Sequence, residues 1–338
     1  MYAPLPFMGD GANCTHTMII RRLIRRILLF MGMMAIILLA ITIGGSFYML
    51  DISLGDLSGK DLQVRRDQLL QESPDVVAWA DSLKDIGMMR DTFMTTADGR
   101  RLHANYFFAN DSTARTMVVI HGFTCNIYSS LKIARMFRDC LGLNLFLPDL
   151  HGHGESDGDN VQFGWKDADD VLEWMPLVTR LFCEETDARI AVQGVSMGAA
   201  TAMNLSGKEK MPQIKCYIED CGYTSVWDEL SGELRNRYDL PPFPLMHVSD
   251  LICRWRNGWS FKEAAPLEMV GRCNKPMMFI HGDADTFVPS WMVYPLYEAK
   301  QGIKTLWVTH GTDHAHSFRD YPKEYENRVR EFLESSGV

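Results

Sequence analysis

The sequence predicts an α/β protein: a mostly parallel sheet covered by helices on both faces, preceded by one apolar N-terminal helix. Two patterns carry this reading. From residue 91 onward, short apolar runs of strand length alternate with helical stretches, and residues 27–50 form a run of 24 uncharged residues. Strands buried on both faces read as continuous apolar runs, and their alternation with helices implies parallel crossovers. The composition is 46% hydrophobic and 23% charged with 26 Gly and 14 Pro, which excludes collagen-like, mucin-like and largely disordered classes.

The first element is the run ILLFMGMMAIILLAITIGGSFYML at 27–50. As a helix it is about 36 Å long, enough to cross a hydrocarbon core of about 30 Å. Arg21, Arg22, Arg25 and Arg26 precede it, while Asp51 and Asp56 follow it. This asymmetry predicts a single-pass anchor, with residues 1–26 as a basic cytoplasmic N-terminus and everything after residue 50 on the extracytoplasmic side. A cleaved signal peptide has an apolar core of about 7–15 residues closed by a small-residue site, and neither feature fits here.

Residues 51–338 carry 30 basic and 42 acidic residues. A domain this acidic lacks the electrostatic footprint of a nucleic-acid binder, and an anionic lipid surface would repel it without the anchor. Of eight cysteines, Cys14 falls on the cytoplasmic side, and the other seven show no C-x-x-C or paired metal spacing. Neither a disulfide framework nor a metal site is expected.

Residues 51–90 are polar with helical spacing, and Ser73-Pro74-Asp75 is a helix start ahead of an apolar stripe at Val76, Val77, Trp79 and Leu83. This segment is expected to be a helical stalk that docks on the domain at 91–338. Asp98-Gly99 marks a hairpin, and strands are expected at 116–121, 143–149, 188–194, 214–220, 276–282 and 304–310. Between the fourth and fifth of these lies a helical, aromatic-rich insertion at about 222–275. Such an insertion at strand C-termini is expected to form a cap over the site.

G-x-S-x-G occurs twice, around Ser156 and around Ser196. A nucleophile elbow needs a strand entering and a helix leaving. Ser196 has both, with ARIAVQ before it and SMGAATAMNL after it. Ser156 sits between Glu155 and Asp157 in a polar loop and is expected near the mouth of the site.

A serine nucleophile needs a base. His121 and His281 end strands and suit structural hydrogen bonds, while His151 and His153 fall in the polar loop. Reacting groups gather at strand C-terminal ends in such sheets, which favours His314, with His316 in reserve, in the loop after the last strand. The acid that orients the imidazole is sought in HGDADTFVP, where Asp285 can reach across and Asp283 reads as a turn residue.

The order Ser196, Asp285, His314, together with His121-Gly122-Phe123, DLHGHGESDG at 149–158, GVSMG, HGDADTFVP and HAHS, resembles the α/β-hydrolase family in its serine-esterase or serine-aminopeptidase-like branch. The matching pieces span about 200 residues in the expected order. The resemblance implies an eight-stranded, mostly parallel sheet and an oxyanion hole from the backbone N–H groups of Phe123 and Met197. Many relatives carry arginine where Leu150 or His151 stands here, so a common structural ion pair is absent.

The expected activity is hydrolysis of carboxylic esters, lipid-like acyl esters among them, through a Ser196-His314-Asp285 triad and an acyl-enzyme. Phe123, Phe287 and Trp291 near the strand ends, with Trp227, Phe243, Trp255 and Trp259 from the cap, are candidate apolar lining. The same triad serves a peptidase or a thioesterase. A peptidase would add a charged anchor such as Asp220 or Glu219. A non-catalytic binding module would have lost a triad member, and all three are present. Neither a G-x-G-x-x-G after a strand nor a P-loop occurs, so no cofactor is expected. The expected partners are an ester substrate and the bilayer.

Overall fold

The computed structural model describes residues 11–338, with side chains from Met18 onward. Residues 1–10, and the side chain of Cys14, lie outside the described residues.

The first helix, α1 (Gly11–Leu54), is longer than the apolar run. It contains one stretch long and apolar enough to cross a membrane. The chain becomes charged at Asp51, but nothing there breaks a helix, and α1 continues until Gly55. Its last turns are part of the domain: Leu50 and Leu54 are buried in the main core, and Val161 N–H donates to the Leu54 carbonyl at 2.7 Å.

Two helices follow, α2 (Leu62–Glu72) and α3 (Pro74–Asp85). Asp61 caps α2 by accepting from Val64 N–H at 3.0 Å, and Pro74 sits in the first turn of α3. Leu69, Val76, Val77, Ala80 and Leu83 bury one face of this pair on the domain.

The sheet has the eight strands that the resemblance implies: β1 (Met89–Thr95), β2 (Arg101–Phe107), β3 (Arg115–Ile120), β4 (Asn144–Pro148), β5 (Arg189–Val195), β6 (Ile214–Asp220), β7 (Met277–Gly282) and β8 (Lys304–Thr309). Their order is β1-β2-β4-β3-β5-β6-β7-β8, antiparallel at β1–β2 and β2–β4 and parallel elsewhere.

Period-two alternation divides the core. Val118 and Ile120 of β3, with Met277 and Phe279 of β7, face α5 (Asp167–Leu181), α6 (Met197–Lys208) and the cap. Met117, Val119, Met278 and Ile280 face α3, α4 (Ile127–Arg135) and the C-terminal helix, Pro322–Ser335. The cap comprises α7 (Val226–Tyr238), α8 (Leu245–Asn257) and the short α9 (Pro266–Val270). Of these, α8 packs along the end of α1, while α9 packs on α6.

Candidate active site

Ser196 occupies the sharp turn between β5 and α6 with φ 57° and ψ −117°, a left-handed conformation costly for a residue with a Cβ. Close packing enforces it. A Cβ on Gly194 would collide with the Gly198 carbonyl, and one on Gly198 with the Ile120 carbonyl. Ser196 N–H donates to the Asp220 carbonyl at 2.8 Å, which ties the turn to β6.

Asp285 follows β7 and His314 follows β8. The two loops are stitched together: Asp283 N–H donates to the Thr309 carbonyl at 2.9 Å, and Ala284 N–H to the Thr312 carbonyl at 3.1 Å. The Asp283 carboxylate accepts from Gly311 N–H at 2.6 Å and pairs with His310 Nδ1 at 2.8 Å, so it works as a staple between loops.

These loops bring the distant residues together. His314 Nε2 lies 2.9 Å from Ser196 Oγ, and His314 Nδ1 lies 2.7 Å from Asp285 Oδ2. The other carboxylate oxygen of Asp285 accepts from Phe287 N–H at 3.0 Å and Val288 N–H at 2.9 Å. Burial works against charge on Asp285, but the hydrogen bonds from His281 and His314 hold its pKa below the usual carboxylate range. His281 Nε2, 3.4 Å from Asp285 Oδ2, donates to the Val288 carbonyl at 2.9 Å and fixes the loop from beneath. His316 sits beside Arg319, 3.1 Å from its Nη1.

Gly122 passes Ser196 closely: a Cβ there would lie 3.6 Å from Ser196 Cβ. The next residue, Phe123, and Met197 at the first position of α6 line the same cavity as Ser196, and N–H groups of a helix's first turn have no intrahelical acceptor.

Cys221 Sγ, Asp285 and His314 place donor atoms within 4.8 Å of one another, close enough for three metal ligands. The donor set suits a metal poorly. Burial pushes the Cys221 thiol far above its ordinary range, and both other groups are engaged in the Ser196 relay.

Several expectations are corrected. Ser156 is not at the mouth: it is buried, donating to the Asp149 carbonyl at 2.7 Å and accepting from His103 N–H at 2.9 Å. Asp149 organises this loop, pairing with His103 Nδ1 at 2.7 Å and accepting from Glu155 N–H at 3.1 Å. Trp291 is 52% exposed and outside the cavity. Trp227 stands off the cavity against His247 and Lys262. Of the other cap aromatics, Trp259 is core, while Phe243 and Trp255 face outward.

Phe123 and Phe287 do line the cavity, and the Phe287 ring rests 4.9 Å from the His314 ring. His121, His151 and His153 are buried, and burial lowers all three, His151 to about 4 and His153 to about 3. Arg100, just before β2, holds Asp170 in two bonds of 2.8 Å and lies 3.1 Å from His151 Nδ1.

The cavity over Ser196 measures about 1280 Å³. Its apolar wall includes Phe163, Tyr223, Leu230 and Leu234, and Met49 and Ile52 of α1 complete it. Leu230 and Leu234 were missed in the sequence, where their spacing of one turn on α7 is the signal that could have found them, whereas no local signal marks the contribution of α1.

A family model described as serine aminopeptidase, S33, matches residues 111–228. The uncharacterized protein YqkD of Bacillus subtilis is 33% identical over 232 residues, 68% of this chain and 74% of that protein. The chain belongs to the α/β-hydrolase family. This α/β-hydrolase is also similar to protein bem46 of Schizosaccharomyces pombe, 28% identical over 177 residues and 52% of each chain. Its fold matches the esterase Pf2001 of Pyrococcus furiosus at a TM-score of 0.59, with 24% identity, covering 76% of this chain and 96% of that one.

Two further carboxyls give this hydrolase a pH signature. Burial pushes Glu219, which accepts from Gly222 N–H at 2.9 Å, up to about 8, and Asp220, bonded to Tyr325 Oη at 3.1 Å, up to about 6. The unfolded chain releases these protons near pH 4 while the native state keeps them, so these two carboxyls contribute stability that is lost as pH rises from about 4 to about 8, opposite in sign to the three buried histidines. Glu219→Gln keeps the acceptor and removes the proton. It is expected to reduce the fall in melting temperature between pH 5 and pH 8, read by differential scanning calorimetry.

Proposed function

We propose that this α/β-hydrolase is a membrane-anchored serine hydrolase that cleaves carboxylic esters with lipid-like acyl groups. The supporting observation is the chain of hydrogen bonds from Asp285 through His314 to Ser196 Oγ, opening into an apolar-walled cavity that includes residues of α1.

In this reading His314 Nε2 takes the Ser196 proton as Oγ attacks the ester carbonyl. Asp285 keeps the proton on Nδ1 and stabilises the imidazolium that forms. The N–H groups of Phe123 and Met197 receive the oxyanion, and one such donor is worth on the order of 10²–10³ in rate. His314 then gives its proton to the leaving alcohol, and water repeats the sequence on the acyl-Ser196. The α1 helix supplies the anchor, with residues 1–26 cytoplasmic and the catalytic domain extracytoplasmic.

A peptidase is the second reading, favoured by Glu233 of α7 in the cavity wall, whose carboxylate, now paired with Arg237, would meet an amine. The test uses the full chain in detergent micelles, with acyl esters of graded chain length beside aminoacyl-anilides. Faster turnover of medium and long acyl esters is the expected result. Preference for the anilides would replace the esterase reading with the peptidase one.

A further inference from the structure

The cap is fixed against the end of α1 in a defined register. Ser46 Oγ donates to the Leu245 carbonyl at 3.2 Å, and a Cβ on Gly45 would sit 3.3 Å from Leu245 Cδ1. Ser249 Oγ reaches Met49 Sδ at 3.8 Å, and Asp51 accepts from Arg256 Nη1 at 2.8 Å. These pairs advance together along both helices, so α8 runs beside α1 in the same direction. The turn that precedes α8, Asp239–Pro244, is therefore level with the uncharged end of α1, at or before Gly45.

That turn is built to leave water. Leu240 is 45% and Phe243 70% exposed, and the Phe243 ring meets the His247 ring edge-on at 5.5 Å. Pro241, Pro242 and Pro244 have no N–H to satisfy, and the amides of Asp239 and Leu240 already donate to the Arg235 and Leu234 carbonyls at 3.0 and 3.4 Å. Unpaired backbone N–H groups are the main cost of taking an irregular segment into an apolar phase, and little of that cost remains here. Tyr238, the residue before the turn, lines the cavity, as do Met49 and Ile52 of α1.

We propose that the Leu240–Pro244 tip of the cap inserts into the interfacial layer of the bilayer that α1 crosses, placing the gap between α1 and α7 where an acyl ester can pass from lipid into the cavity. This rests on the reading of α1 as a membrane span. Aromatic and apolar side chains at that depth are favourable. Leu251 and Trp255, one turn apart on the outer face of α8, continue the same surface at shallower levels.

The test reconstitutes the full chain in phosphatidylcholine nanodiscs containing a diazirine-bearing phospholipid, with adducts mapped by mass spectrometry after irradiation. Adducts are expected on the apolar part of α1 and on the peptide covering residues 238–247, with fewer on residues 251–255. A labelled α1 with a clean 238–247 peptide overturns this inference and leaves the anchor standing. A clean α1 overturns the anchor and the inference together.

A second arm uses Leu240→Asp combined with Phe243→Asp. Turnover of a long-chain ester carried in vesicles is expected to fall about tenfold, with a soluble short-chain ester within about twofold of the parent. An equal fall on both esters, or no fall on either, overturns the proposal.

Discussion

Ser196→Ala is expected to lower ester turnover on the order of 10⁴-fold or more, because the hydroxyl that forms the covalent intermediate is gone while the rest of the cavity is intact. Ser196 Oγ is the group facing His314 Nε2, so no neighbouring hydroxyl can substitute. The measurement pairs burst kinetics on an activated ester with labelling by a fluorophosphonate probe. Labelling should disappear in Ser196→Ala and persist in Ser156→Ala. The latter should instead melt earlier, because Asp149 and His103 each lose a buried hydrogen-bond partner, worth about 1 kcal/mol apiece. Residual covalent labelling of Ser196→Ala, lost in Ser156→Ala, would move the nucleophile to the other G-x-S-x-G.

Asp285→Asn is expected to be almost as damaging, lowering kcat on the order of 10⁴-fold with KM little changed. The geometry explains why. Asp285 Oδ1 is committed to Phe287 N–H and Val288 N–H, so the substituted amide would keep its oxygen there and turn its NH₂ toward His314. Two donors would then face each other at Nδ1 unless the imidazole moved its proton to Nε2, where it could no longer accept from Ser196. The same rotation would put NH₂ against His281 Nε2. A rise in KM that matched or exceeded the change in kcat would point to Asp285 serving substrate binding instead.

Much of this was readable in the chain itself, for physical reasons that differ by element. Strands such as β3 and β5 are buried on both faces, so most positions are apolar and the signal is nearly continuous, broken inside them only by Thr116 and by Gln193. Ser196 could be told from Ser156 because steric demands at the elbow require glycines flanked by a strand and a helix. The cap aromatics could not be sorted. Trp259 in the core and Trp255 in the open have the same local chemistry, and only the docking of α8 on α1 assigns their faces. The polar loop 149–158 read as solvent-facing because its residues are hydrophilic. Its buried partners, His103 and Asp149, lie 46 positions apart, beyond the reach of local pattern. The end of α1 was placed at the first charge, although helices stop where the backbone is broken, and that break is Gly55.

The docking of α1 has a consequence for any shortened form of the protein. A chain begun at residue 51 would discard Leu50 from the core and Met49 from beside the catalytic chamber, and it would strip Leu245 of the helix it leans on. Trimming the apolar helix to obtain a shorter chain would thus leave a breach in the chamber itself. Helix and domain cannot be exchanged as independent modules, because the last turns of one are masonry in the other.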